Sequence, residues 1–199
     1  MRFFLNSRFP ADSGSNLKLA DLEIFSKFPD KGTAEVVQGM QRILALAKEP
    51  IVFTAVDGRA VDLSRLKGKV VLVDFWATWC GPCKEEIPNV KKVYAAYHDK
   101  GFEVVGIALE DGRLTPKDTP EQTAEKMAKA KKVLTDFTAK NDMPWPQYFD
   151  GKGFKTEFAA RYDIQGIPAM FLFGPDGKLA STDARGEKLE QEVKRLLKL

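Results

Sequence analysis

The stretch "VVLVDFWATWCGPCKEEIP" occupies residues 70–88 and holds Cys80 and Cys83, the only two cysteines in 199 residues. Its first seven residues form a continuous apolar run with one acid, Asp74, inside it. Such a run suits a strand covered on both faces. The cysteines follow after a short loop, and Ile87, Val90, Tyr94 and Tyr97 then recur at helical spacing. Strand, loop, then Cys-x-x-Cys at a helix start is a context that speaks for thiol chemistry. A thiolate, not a thiol, is the nucleophile. The unpaired N–H groups and dipole of a helix N-terminus stabilise one there. Pro82 fits that first turn, where its missing N–H costs nothing.

Two other readings of the pair compete. A structural bridge across so short a gap removes little entropy from the unfolded chain. A zinc site needs about four ligands, and the chain adds only one histidine, His98. His98 lies near the end of the helix that follows the cysteines, where a solvated or C-capping role is expected.

The rest of the chain reads as alternating strands and helices. "IVFTAVDGRAVDLSRLKGK" (51–69) suggests a strand, a turn at Asp57-Gly58, a second strand and a tight turn at Gly68. "FEVVGIAL" (102–109) is a second buried strand, and "DGRLTPKDTP" a loop. Residues 121–142 form an amphipathic helix with Met127, Val133, Leu134 and Phe137 facing inward. A short strand in 145–150 and a helix in 154–163 follow. "IPAMFLFGPDGKLAST" (167–182) is a strand, a Pro-Asp-Gly turn and a returning strand. Residues 187–199 close the chain as a helix with Leu189, Val193, Leu196 and Leu197 on one face. This alternation predicts an α/β domain with a mixed central sheet, its final hairpin adding an antiparallel edge.

Residues 1–50 differ in texture. A helix is expected over 33–48, capped by Thr33 and stopped before Pro50. Two upstream segments share a Phe-Pro-then-Asp pattern. We expect residues 1–50 to be a helical extension or the remnant of a larger helical domain, and 51–199 to be the catalytic domain. The first residues lack a signal-peptide core, and no run reaches the ~18 apolar residues of a membrane span. A net charge of +3, with lysines spread along the chain, gives no nucleic-acid signature.

The segment "VDFWATWCGPCK" closely resembles the active site of thioredoxins. The longer pattern resembles exported thioredoxin-like reductases of the TlpA/ResA type. It adds "DGRAVDLSRLKGK", "KGFEVVGIALE", "WPQYFDGKG" and "IQGIPAMFLFGPDGKL", and so covers about residues 51–199. The resemblance implies a thioredoxin fold with an αβ insertion over 111–165. It implies a thiol–disulfide oxidoreductase working without cofactor or metal. Cys80 matches the attacking cysteine and Cys83 the resolving one. Pro168 matches a cis-proline facing the disulfide, which would present the backbone of Ile167 to an extended substrate. Ala169 departs from the Thr common at that position. Gly81 and Pro82 between the cysteines match reducing thioredoxins, and Trp79 flanks the site.

Two acids belong to the expected site. Asp74, six residues before Cys80, matches a buried aspartate behind the resolving cysteine. A carboxyl buried among apolar residues has a raised pKa, which suits a group that takes the Cys83 proton. Glu86 matches the glutamate of a Cys-x-x-Cys-x-x-Glu pattern. It also reads as a first-turn acid complementing the helix dipole. Glu85 should point to water. The implied partners are disulfide-containing proteins and an upstream electron donor, in an exported setting. The alternatives are a metal- or partner-binding module without redox turnover and a thiol peroxidase, for which no attacking cysteine in the required loop is present.

Overall fold

The computed structural model describes residues 51–199. The helix expected over 33–48 and the paired Phe-Pro segments lie outside the described residues.

Two short strands, β1 (Val52–Thr54) and β2 (Ala60–Asp62), form an antiparallel hairpin. Gly58 turns it in a left-handed conformation, φ 89°, open to glycine at little cost. A single 3-10 turn, Leu63–Leu66, leads to β3 (Val70–Trp76), and all seven residues of β3 are buried. The helix α1 (Gly81–Tyr97) connects β3 to β4 (Phe102–Ala108), which runs parallel to β3. His98 is the C-cap of α1, its ring stacked on Tyr94.

The helix α2 (Pro120–Lys140) opens on a capping box. Thr119 accepts the N–H of Gln122, and the Gln122 side chain accepts the N–H of Thr119. The two reciprocal bonds satisfy donors that a helix start leaves free. After it come β5 (Gln147–Tyr148), the short helix α3 (Glu157–Arg161), β6 (Ala169–Phe173), β7 (Leu179–Ser181) and α4 (Glu187–Leu197). The main sheet has the order β5-β4-β3-β6-β7. It is parallel on the β5–β4–β3 side and antiparallel from β3 to β7. The mixed sheet is the expected one, and α2 and β5 are the helix and strand expected as an insertion between core strands.

Alternation along the strands divides the core into two layers. Val70, Leu72, Trp76, Phe102, Val104, Ala108, Met170 and Leu172 pack with both cysteines, α1, α4 and Leu134 of α2. Val71, Val73 and Phe75 of β3 and Val105 and Ile107 of β4 pack on the other face with the β1–β2 hairpin and α3. A period-two strand must divide its residues this way. Asp74, with even parity, therefore lies on the face that α1 covers.

One inward position is corrected. Val133 is 46% exposed, whereas Leu134 is fully buried and Met127 and Phe137 are half-buried. α2 lies at the margin of the sheet, so only a narrow stripe of it reaches the core.

Candidate active site

Cys80 is the N-cap residue of α1, and Cys83 sits in its first turn. The two are joined by a disulfide, with Cα atoms 5.3 Å apart. The backbone N–H of Cys83 donates to the Cys80 sulfur at 3.2 Å. One orphan donor of the helix start thus points at the sulfur, as an anion site there requires. Both cysteines are buried, but Gly81, Pro82 and Trp79 beside them are exposed. Trp79 reaches over the ring of Phe154 with centroids 6.2 Å apart.

The Ile167–Pro168 peptide is cis. Ala169 pairs with Phe75 across the β6–β3 ladder. Pro168 therefore stands level with the end of β3 from which the loop to Cys80 departs. Ile167 is half-buried and packs against both core layers.

Asp74 is 4% exposed, and its Oδ1 has no hydrogen-bond partner. Burial, with the Glu86 carboxylate adding like-charge repulsion, pushes its pKa up to about 7. Desolvation is the larger cause, as expected for a carboxyl among apolar neighbours. The alternative of a strand-end aspartate in solvent does not occur.

Glu86 is half-buried on the second turn of α1, and no acid stands in the first. The first-turn reading of Glu86 is thereby corrected: the helix begins at Gly81, so Glu86 is its sixth residue and lies past the N-terminal N–H groups. Its Oε2 instead accepts the N–H of Gly186 at 3.1 Å, at the start of α4. Asn89 donates to the carbonyl of the same Gly186 at 2.9 Å. Two side chains of α1 thus clamp both backbone polar groups of one residue. Glu85 is exposed, as expected.

Two buried polar residues were not singled out from the sequence. Glu110, just past β4, accepts the backbone N–H of Thr78 in the loop leading to Trp79 and Cys80. Its carbonyl accepts the N–H of Gly153 in the insertion. Gln147, on β5, accepts the indole N–H of Trp76 at 2.9 Å. The signal was present in each case as a polar residue beside an apolar run, but partners 32 and 71 residues away cannot be read from spacing. Replacing Glu110 by Ala would leave the Thr78 N–H without its acceptor. The expected cost is about 1–3 kcal/mol of stability, measured by denaturant unfolding of the oxidised protein; a loss under about 0.5 kcal/mol would show the bond to be dispensable.

A groove of about 790 Å³ opens beside Thr78 and Trp79, between the α2 face and the 110–113 and 153–154 turns. Trp79, Val133 and Phe154 form its apolar wall. The exposed Val133 thus faces this groove. Among the described residues, no group of three or more His, Cys, Asp or Glu could hold a metal ion, and no helix is long and apolar enough to cross a membrane.

The profile of the Redoxin family matches residues 27–198, so the match begins well before the described fold. A protein named thiol-disulfide oxidoreductase ResA, from Bacillus thuringiensis subsp. konkukian, is 27% identical over 147 residues, covering 74% of this chain and 72% of its own. A solved thiol-disulfide oxidoreductase from Bacteroides fragilis superposes with a TM-score of 0.59 at 26% identity, over 74% of this chain and 97% of its own. The thioredoxin domain of a thiol-disulfide oxidoreductase from Bacteroides vulgatus gives a TM-score of 0.56 at 28% identity, over 75% and 94%.

Proposed function

The chain belongs to the Redoxin family and is a thioredoxin-fold thiol–disulfide oxidoreductase; we propose that it reduces disulfides in other proteins through Cys80 and Cys83. The observation that supports this most is the placement of the bonded pair, with Cys80 at the N-cap of α1 and its sulfur accepting a helix N–H.

In the dithiol state, Cys80 loses its proton and the helix N-terminus stabilises the thiolate. The thiolate attacks one sulfur of a substrate disulfide. A mixed disulfide forms, and the other substrate sulfur leaves as a thiolate. Asp74 takes the proton of Cys83, whose thiolate attacks the Cys80 sulfur. The Cys80–Cys83 bond forms, and the second substrate sulfur is released. Two electrons pass from the pair to the substrate, and an upstream dithiol donor must restore them. Trp79, Gly81 and Pro82 form the exposed surface around the attacking sulfur. The backbone of Ile167, before Pro168, offers the extended pairing edge.

The Gly-Pro dipeptide between the cysteines favours the reductant direction, by similarity to reducing thioredoxins. Relatives carrying the ResA name support an exported setting. Equilibration of the purified protein with glutathione mixtures tests the direction. The expected potential lies well below that of the glutathione pool, and a value as oxidising as roughly −120 mV would reverse the assignment.

A further inference from the structure

Three facts about one row of the sheet meet at Asp74. In the parallel ladders, Asp74 stands opposite Gly106, and Gly106 opposite Gln147. Gly106 carries no side chain, and the Gln147 amide occupies that space: a Cβ built on Gly106 would lie 2.0 Å from Gln147 Oε1. The Gln147 Oε1 is taken by the indole N–H of Trp76 at 2.9 Å. That bond fixes the amide orientation, since only its oxygen can accept. It leaves Gln147 Nε2 as a buried donor without a partner, in the same row as Asp74 Oδ1, a buried acceptor without a partner.

We propose that Gln147 is a positioning residue for the exchange reaction: its amide, laid over Gly106 and held by Trp76, donates to the Asp74 carboxylate when that carboxylate forms. The donor meets the Asp74 carboxylate directly or through one buried water, which commonly joins otherwise unsatisfied groups. β6 presents Met170 opposite Asp74, and α1 brings Cys80, Cys83 and Glu86 over this face. Glu86 is the one acid among them, and its like charge repels the Asp74 carboxylate. A donor to the charged form lowers an acid's pKa. Gln147 therefore opposes the burial that raises it. The inference rests on Asp74 being the proton acceptor for Cys83.

The test needs no turnover. In the oxidised wild-type protein, the carboxyl ¹³C of Asp74 and the side-chain ¹⁵N of Gln147 are followed by NMR from pH 4 to pH 9. The two resonances are expected to titrate with one midpoint, and the Gln147 titration is expected to vanish in Asp74→Asn. A Gln147 amide that stays unmoved while Asp74 ionises overturns the proposal. Gln147→Met, close in shape but without the amide, should raise the Asp74 midpoint by about one pH unit. An unchanged midpoint in that folded variant would also overturn it. Coupled titration together with an exchange rate indifferent to Asp74→Asn would keep the Gln147–Asp74 bond and discard instead the proton-acceptor role of Asp74.

Discussion

Cys80→Ser is expected to reduce disulfide exchange to background, a loss on the order of a thousandfold or more, while Cys83→Ser is expected to accumulate a covalent adduct with substrate. The asymmetry follows from position. Cys80 is the N-cap, and its sulfur already accepts a helix N–H. A serine there keeps the cap but not a nucleophile, because its hydroxyl stays protonated at neutral pH. Cys83 lies inside the first turn and is nearly buried, at 3% exposure. Exposure does not separate the two, since Cys80 is itself only 5% exposed; Cys83 is bonded to Cys80 and so lies within reach for resolution. Without it the mixed disulfide has no internal thiol to break it. Mass spectrometry of each variant, after incubation with a disulfide-bonded protein and non-reducing separation, checks both halves. An adduct on Cys80→Ser and none on Cys83→Ser would exchange the two roles.

The segment 70–88 made the fold legible because several signals there agree. The apolar run of β3 is buried on both faces, and the cysteines fall where Pro82 and the helical period place a helix start. The Gly-Pro-Asp-Gly turn between β6 and β7 was equally clear, since Gly177 adopts φ 75°. Less legible was depth. Val133 and Leu134 are adjacent and both apolar, and the period alone cannot say how far around α2 the contact extends. The structure gives Leu134 to the core and leaves Val133 beside the groove. Glu86 shows a different limit. Its identity was readable, but whether it serves the first or second turn depends on the N-cap, and its partner Gly186 lies 100 residues onward. Gln147 and Glu110 were missed for the same reason. A buried polar residue is explained by its partner, and these partners arrive only when the sheet assembles. The comparisons identify the family, yet they do not assign a task to Gln147 or to Glu86.

Asp74→Asn should slow the reaction and stabilise the protein together, and the two effects share one cause. The Asp74 carboxyl has its pKa raised from 3.8 to about 7, with burial the larger reason. Below pH 7 it is protonated and cannot accept the Cys83 proton; above pH 7 it is ionised and can. Resolution of the mixed disulfide in the wild type should therefore accelerate as pH rises through about 7. In Asp74→Asn that step should disappear, with a loss of about 10²–10⁴-fold at pH 8, the range for a positioned general base. The same ionisation weakens the fold. Between pH 4 and 7 the unfolded chain has lost this proton and the folded one keeps it, so stability falls as pH rises. The shift from 3.8 to about 7, at about 1.4 kcal/mol per pH unit, sets a ceiling of about 4 kcal/mol on that loss. Asn removes the ionisation but retains much of the shape. The stability of Asp74→Asn relative to wild type should therefore rise from about pH 4, and level off once Asp74 is fully ionised above pH 7. Urea unfolding of the two oxidised proteins across pH 3–9 measures this, and stopped-flow decay of a preformed mixed disulfide measures the rate. A stability difference that does not change with pH, or a variant that keeps the rise in rate through pH 7, would remove Asp74 from the mechanism and leave the proton to Glu86.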